Sequence, residues 1–378
     1  MARTLSRLVL FMILAAAILI ALGEFSVRLF VLLSSDIKAG RFGLNYSVND
    51  NKYGLKLNPG LRLKVRYEEH PAGTYFIHIN EQGFSEDKDI PVKKEEGEYR
   101  IFVLGDSHTQ GACNNIESFP NLLEACLSEK EGTNYNVINA GVGGWSFVQE
   151  YLYLTEELVK YSPDMVIVAV YMGNDLYDLE QPFGPGIKGT APDFSIDRNL
   201  RKPFPEIAKY SYLYSFLYGR KHLKHVLGDK MLIQEMRQIE WFLDKTTAGT
   251  EEVFRKIGYI ARKLKEYEKK SGVPISVILL PTKTQVEGPD AEFLTFLKNT
   301  GTDEAATEDC GRIILSGVMR AFKDADLPCI DLLEPMREAY LATGQALYYD
   351  IDRHLDPEGN KVVAGFLCRM LKLDGGNP

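Results

Sequence analysis

Two short stretches of the chain, far apart in sequence, carry the residue types that nucleophilic catalysis needs. Ser107 lies in Gly-Asp-Ser-His-Thr-Gln-Gly (residues 105–111), directly after the apolar run Ile101–Leu104. His354 follows Asp352 by two residues. A serine hydroxyl is a weak nucleophile until a base lies within hydrogen-bond reach. A histidine whose tautomer is fixed by a carboxylate can be that base, so Ser107, His354 and Asp352 are a candidate catalytic triad.

Two further stretches could stabilise the negative charge that forms on a carbonyl oxygen under attack. A glycine-rich segment, Asn139–Ser146, follows the strand-like residues 136–138, and Gly173-Asn174-Asp175 follows the apolar run Met165–Val170. Backbone N–H groups in a glycine turn and a side-chain amide are suitable donors to such an oxyanion. Because each stretch follows an apolar run, a parallel sheet would gather them with Ser107 at one edge.

In this order, Gly-Asp-Ser with Ser107, then Gly144, then Gly-Asn-Asp with Asn174, then Asp352 and His354, the chain resembles the SGNH/GDSL hydrolase superfamily. The resemblance covers roughly residues 100–373. It implies that Ser107 is the nucleophile and that His354 and Asp352 complete the triad. It also implies an oxyanion hole formed by the backbone N–H of Ser107, Gly144 and the Asn174 amide.

The chain departs from the family pattern at two places. Many members have Asp-x-x-His where this chain has Asp-x-His, so Asp350 is the alternative to Asp352 as the triad carboxylate. Many have Leu where this chain has His108. Since neighbouring side chains diverge, we expect a structural or substrate-contacting role for His108, and we expect Asp106 to brace the turn by local hydrogen bonds.

The resemblance implies a serine esterase that needs no cofactor and no metal, acting on O-acyl groups of a glycan or lipid. The same catalytic residues would serve an O-acyltransferase that moves an acyl group onto a cell-envelope polysaccharide. Exported, anchored members of the superfamily can work with membrane-bound O-acyltransferases, so such a partner is an expectation as well. A third hypothesis is an inactive carbohydrate-binding or scaffold protein, which the intact motifs disfavour.

Composition is that of an ordinary globular protein with one unusual end. The chain has 378 residues, 45% of them hydrophobic, and a formal charge of −8. No basic cluster indicates nucleic acid binding. Residues 8–23 carry no charge, Arg3 and Arg7 precede them, and Glu24 and Arg28 lie one helical turn apart, so they could pair. We expect an uncleaved membrane anchor with its amino terminus in the cytoplasm and the catalytic domain exported to the periplasm or outside the cell; a cleaved signal peptide is the alternative.

Strand-like and helix-like segments alternate along the rest of the chain. This pattern predicts an α/β fold, a flavodoxin-like three-layer α/β/α sandwich with a mainly parallel five-stranded sheet. The predicted strands are residues 101–104, 136–138, 165–170, 275–280 and 328–333. An amphipathic helix is predicted over residues 250–270, where Gly272 would end it.

We divide the chain into an anchor (1–35), a β-rich extension and linker (36–98) and a hydrolase-like domain (99–374). The extension carries two predicted strands, residues 61–67 and 75–79. A helical insertion at 176–249, with a Gly/Pro-rich loop (181–192) and a tyrosine-rich segment (209–218), does not fit one crossover. It would either lie beside the active site and select the substrate or pack on the sheet as a satellite cluster.

The five cysteines leave the redox compartment open. Their spacing is not that of metal ligands, and an odd number leaves at least one thiol free. Cys126 and Cys368 lie on helix faces with Leu and Phe, so we expect both to be buried as small apolar side chains.

Overall fold

The computed structural model describes residues 2–33, 47–129, 134–180, 186–188, 191–193, 213, 231–243 and 247–373. The strands are β1 (Ser47–Asp50), β2 (Gly54–Leu57), β3 (Arg62–Arg66), β4 (Thr74–His78), β5 (Glu98–Leu104), β6 (Asn134–Asn139), β7 (Met165–Tyr171), β8 (Gly186–Lys188), β9 (Ala191–Asp193), β10 (Ile275–Leu280) and β11 (Cys329–Asp331). The helices are α1 (Ala2–Leu33), α2 (Ser107–Gln110), α3 (Phe119–Ser128), α4 (Phe147–Glu156), α5 (Asp175–Glu180), α6 (Met231–Leu243), α7 (Thr247–Ser271), α8 (Lys283–Glu287), α9 (Ala291–Thr300), α10 (Glu304–Asp324), α11 (Leu333–Thr343) and α12 (Pro357–Leu373).

Five strands form one parallel sheet in the order β11-β10-β7-β5-β6. Numbered along the core, this is the 2-1-3-4-5 arrangement of flavodoxin-like folds. The predicted fold class is therefore confirmed. The strand order reverses between β5 and β7, which is where open α/β sheets bind ligands, and Ser107 and Asn174 follow those two strands.

Both faces of the sheet are covered, because alternate residues of each central strand enter different apolar clusters. On β7, Val166, Val168 and Val170 join one cluster, while Ile167 and Ala169 join the other. The first cluster contains residues of α4, α7 and α10, and the second contains residues of α3 and α12. Complete burial of β7 explains why its sequence is a continuous apolar run rather than an alternating one.

A disulfide between Cys126 of α3 and Cys368 of α12 joins two helices across 242 residues. The expectation that these cysteines are unpaired apolar side chains is wrong. Their helices pack against each other on one face of the sheet, which brings the Cα atoms to 6.2 Å. That packing depends on the register of two distant helices, which helix periodicity cannot give. Cys113, Cys310 and Cys329 are free thiols.

Helix α1 contains a segment, Leu10–Leu29, that is long and apolar enough to cross a membrane, with a mean hydropathy of 2.4 and no part buried in the protein. Near its end Arg28 pairs with Glu24 at 2.8 Å, as the spacing predicts. The helix is equally consistent with a signal sequence by length and composition.

The segment between α1 and the core forms two antiparallel hairpins, β1–β2 and β3–β4. The first hairpin was not predicted from the sequence, whereas β3 and β4 lie within a residue or two of the predicted strands. The extension packs into the core: Tyr53, Ile79 and Phe84 are each 1% exposed. The indole N–H of Trp145 donates to the Leu55 carbonyl at 2.9 Å, which fastens the first hairpin to the glycine-rich segment.

Candidate functional site

Ser107 lies at the carboxyl end of β5, as the first residue of the short helix α2. The turn before it needs a glycine at position 105. A Cβ there would lie 2.1 Å from the Thr109 hydroxyl oxygen and 2.9 Å from the Ala169 carbonyl oxygen on β7. The close approach of these backbones holds Ser107 at the edge of the sheet, half-buried.

Asp106 caps helix α2 from a fully buried position. Its carboxylate accepts the His108 backbone N–H at 2.8 Å, and it also lies 3.5 Å from the Ser107 hydroxyl. This is the bracing role expected for Asp106. Burial raises its pKa to about 6, against the hydrogen bond from His108 and the charge of His354.

The structure brings Asp352, rather than Asp350, to His354. The Asp352 carboxylate is hydrogen-bonded to Nδ1 of His354. Asp350 points outward with 88% of its side chain exposed and pairs with Lys283 at 3.1 Å. Of the two carboxylates that the sequence left open, only Asp352 can fix the tautomer of His354 in this arrangement.

Charge interactions stabilise the ion-pair form of Asp352 and His354. Burial by itself would lower the pKa of His354, but the charge of Asp352 and its hydrogen bond outweigh burial and raise that pKa. Burial would likewise raise the pKa of Asp352, but the charge and hydrogen bond of His354 hold it well below its usual value. A histidine of this kind is a stronger base than a free one.

His108 follows Ser107 in helix α2 and lies close to His354. Its ring stacks on Tyr171 at a centroid distance of 3.6 Å and lies 4.7 Å from the His354 ring. Among the described residues neither of its ring nitrogens has a hydrogen-bond partner. Burial, and then the charge of His354, lower the pKa of His108 well below the ordinary value, which favours its neutral form.

The hydroxyl of Ser107 turns toward Asp106 in this structure. Within the described part of the chain, no hydrogen bond joins it to His354. The two residues nevertheless share neighbours, since His108 adjoins Ser107 and packs near the His354 ring, and the charge of Asp106 acts on His354.

The glycine-rich segment after β6 lies beside α2. The Val142 N–H donates to the Gly105 carbonyl at 3.0 Å, and the Gly143 N–H donates to the Gln110 side chain at 2.9 Å. Gly144 follows with a φ of +83°, a conformation that favours glycine. The Gly143 N–H is thus occupied within the protein.

Asn174 is 4% exposed at the end of β7. Its amide nitrogen donates to Asp178 at 2.9 Å, one turn along α5, and this bond leaves a second N–H. Its carbonyl oxygen has no partner among the described residues. The amide is fixed by its own helix, which is the kind of preorganisation that an oxyanion donor needs.

A residue that sequence reasoning missed, Gln238 of α6, holds the Asn174 turn in place. Its side-chain oxygen accepts the N–H groups of Leu176 and Tyr177, each at 3.1 Å. Its amide nitrogen donates to the Met172 carbonyl at 2.6 Å. The described end of the insertion therefore lies beside the site. Apart from residue 213, the tyrosine-rich segment falls outside the described residues, as does most of the Gly/Pro-rich loop.

Arg353 is another missed residue, and it holds the Asp352–His354 turn from within the protein. It is fully buried with a φ of +64°, which is uncommon for a residue with a side chain. Its guanidinium bonds to Glu235 of α6 at 3.1 Å, to Thr284 at 3.0 Å and to Asp290. These three partners stabilise a strained backbone next to His354.

A cluster of buried carboxyl groups surrounds Asp106, next to Ser107 in the chain. Besides Asp106, they are Glu150, Asp175 and Asp178, and each is at least nine-tenths buried. Burial and mutual repulsion raise their pKa values, to about 8 for Asp178. Asp178 is therefore mostly protonated near pH 7, whereas Asp106, with a pKa of about 6, is mostly charged there. No group of three or more acidic, histidine or cysteine side chains within the described residues is arranged to hold a metal ion.

No protein-family profile matches the chain. No curated protein is similar to it in sequence. Solved structures do match. An acetyl xylan esterase is 14% identical, with a TM-score of 0.39 over 72% of this chain and 99% of that one. A lipase/acylhydrolase from Enterococcus faecalis is 15% identical, with a TM-score of 0.38 over 72% and 95%.

An α/β hydrolase from a lake metagenome is 11% identical, with a TM-score of 0.41 over 73% of this chain and 95% of that one. The chain itself has a flavodoxin-like sheet order, and Ser107, Gly144 and Asn174 each follow one of three strands of that sheet, as the resemblance to SGNH/GDSL hydrolases predicts.

Proposed function

We propose that the chain is a serine hydrolase that cleaves carboxylic esters, with O-acyl groups on a glycan or lipid as its substrates. The observation that supports this most directly is the hydrogen bond between Asp352 and Nδ1 of His354, beside the sheet edge where Ser107 lies. A carboxylate on Nδ1 leaves Nε2 unprotonated and able to accept a proton from a serine.

In the proposed reaction the Ser107 oxygen bonds to the ester carbonyl carbon as its proton passes to Nε2 of His354. The negative oxygen of the intermediate accepts hydrogen bonds from the backbone N–H groups of Ser107 and Gly144 and from the Asn174 amide. Asp352 stabilises the imidazolium. The alcohol leaves with the proton from His354, and water, deprotonated by His354, releases the acyl group as a carboxylic acid.

We also propose that α1 anchors the protein and that the catalytic domain is exported. The apolar segment Leu10–Leu29 supports the anchor. The Cys126–Cys368 disulfide supports export, because disulfides persist in oxidising compartments and are rare in the cytosol.

The test is covalent labelling by a fluorophosphonate probe, followed by turnover of short- and long-chain p-nitrophenyl esters. Wild type should be labelled, and Ser107→Ala should not be, at unchanged thermal stability. Ser128→Ala, at an exposed serine of α3, is the matched control and should be labelled at the wild-type rate.

Labelling of Ser107→Ala at the wild-type rate would place the nucleophile elsewhere. Absence of both labelling and ester turnover in wild type would overturn the proposal. Repeating the ester assay with an added oligosaccharide distinguishes hydrolysis from acyl transfer. Hydrolysis releases the free carboxylic acid. Formation of an acylated oligosaccharide would instead identify the protein as an O-acyltransferase.

A further inference from the structure

The N-terminal extension reaches the turn that carries the triad. Glu69 lies just after β3, and its carboxylate accepts two consecutive backbone N–H groups, from Ile351 at 2.6 Å and from Asp352 at 3.1 Å. These contacts join residues 282 and 283 positions apart in the chain. They fix the backbone at the residue whose side chain orients His354.

Tyr67, two residues earlier, contacts the same turn through both its ring and its hydroxyl. The ring packs edge-on against Tyr349 with centroids 5.1 Å apart. The hydroxyl donates to the Glu69 carboxylate at 3.4 Å and is close enough to the Asp352 carboxylate to help lower its pKa. Burial, and then the charge of Asp352, raise the pKa of Tyr67, so it remains a protonated donor at every pH of interest.

The triad turn needs support of this kind. Arg353 holds a left-handed conformation between Asp352 and His354, and such a backbone persists only where neighbouring contacts determine it. Arg353 is held from the inside of the protein, whereas Glu69 and Tyr67 bind the outer side of the turn, where Ile351 is 50% exposed.

We infer that Glu69 and Tyr67 are positioning residues for catalysis, through which the N-terminal extension fixes the Asp352 carboxylate against Nδ1 of His354. This inference rests on the proposed function. It assigns the extension a part in the active site, so it is more than a spacer between the anchor and the catalytic domain.

Glu69 also acts on His354 through its charge. The charged and titratable groups facing His354 are Asp352 on its own turn, Asp106 and His108 from the nucleophile's turn, and Glu69 from the extension. Glu69 is one of the groups that raise the pKa of His354. Removing its charge therefore lowers that pKa, and the base becomes active at a lower pH.

The experiment compares Glu69→Gln and Tyr67→Phe with wild type in the full-length chain in detergent. Glu96→Gln, an exposed acid of the same extension, and Tyr99→Phe, at the opposite end of β5, are the matched controls. The titration of His354 is followed by NMR of labelled histidine. Its signal is assigned with a His354→Asn variant, and kcat and KM are measured across pH.

In Glu69→Gln we expect the titration of His354 and the acid limb of kcat to move together to lower pH by a few tenths of a unit. In Tyr67→Phe we expect kcat to fall about tenfold, the equivalent of one hydrogen bond to a charged group, with KM unchanged. Both controls should match wild type.

An unchanged His354 titration in Glu69→Gln, together with wild-type kcat in Tyr67→Phe, would overturn the inference. So would losses of kcat that merely follow a lowered thermal stability, with the titration unmoved. The NMR titration needs no turnover. The inference can therefore fail while Ser107 proves to be the nucleophile, and the effect of Glu69 on His354 can be measured even if no ester is cleaved.

Discussion

Replacing Asp352 by Asn, and separately Asp350 by Asn, tests the triad assignment at the point where the sequence left two choices. The two residues precede His354 at even spacing but differ in structure. Asp352 bonds to Nδ1 of His354, whereas Asp350 is largely exposed and bonds to Lys283. Each substitution removes one charge and keeps nearly the same shape, so the pair is well matched.

The structure sets the expected size of each effect. In the Asp352→Asn variant the carboxylate that accepts from Nδ1 of His354 is lost, and an amide N–H₂ turned toward Nδ1 would donate to it instead. The imidazole proton is then forced onto the nitrogen that must accept from Ser107. This wrong tautomer costs about 10⁴-fold in rate in a Ser-His-Asp enzyme.

Asp350→Asn should leave the rate near that of wild type. Lys283 keeps a second partner, Glu287 at 2.7 Å, so loss of the Asp350 charge does not leave a buried cation unpaired.

The pH dependence gives a second readout with a definite sign. Burial lowers the pKa of His354 and Asp352 raises it, with a net rise in wild type. Without the charge and hydrogen bond of Asp352, the pKa of His354 falls below its wild-type value. The acid limb of the pH–rate profile of Asp352→Asn should therefore have its midpoint at a lower pH than that of wild type.

The assay is the rate of fluorophosphonate labelling and of p-nitrophenyl acetate hydrolysis from acid to neutral pH, with circular dichroism to verify folding. Greater damage from Asp350→Asn than from Asp352→Asn would refute the assignment of the carboxylate. Little effect from either would refute the reasoning that a carboxylate fixes the tautomer of His354.

Three further outcomes are expected. Asn174→Ala should lower kcat by roughly 10²–10³-fold with little change in KM, as loss of one oxyanion donor does, and an effect on KM alone would make it a binding or turn residue. A chain beginning at Lys38 should be soluble and active, and retention on membranes would require a second attachment surface. Under oxidising conditions Cys126→Ser should lower the free energy of unfolding, measured by urea denaturation, by about 2–5 kcal/mol relative to wild type. Under reducing conditions the variant and wild type should be equally stable. If they are equally stable under oxidising conditions too, the disulfide contributes nothing to stability.

The strands of the sheet could be predicted almost completely because burial on both faces produces a recognisable sequence pattern. Strands buried on both faces are continuous apolar runs, and Ile275–Leu280 was predicted to the residue. The ends of the other strands differ from the predicted ones by a few residues. Strand β5, for example, begins at Glu98 rather than Ile101, because its first paired residues include the charged Glu98 and Arg100. Helix α7 extends only a few residues beyond the predicted range at its N-terminal end.

Contacts between distant segments have no comparable sequence pattern. The Cys126–Cys368 disulfide depends on how two helices pack, and a cysteine on an apolar helix face reads the same whether paired or free. Glu69 and Gln238 lie in stretches without a motif, and each acts by accepting backbone N–H groups of a turn elsewhere in the chain. Any acidic or amide side chain near such a turn could accept these N–H groups, so the residue type alone does not predict the contact.

The four motifs thus contain the proposed reacting groups, and residues of the extension and the insertion hold their turns in place. The turn before His354 is strained at Arg353, and strain persists only where neighbours determine the backbone. Glu235 of α6 binds that arginine from inside, and Glu69 binds the same turn from outside. A bare α/β core would retain the motif sequence but lose both supports. The segments least like a hydrolase motif are therefore the ones on which alignment of the proposed triad depends.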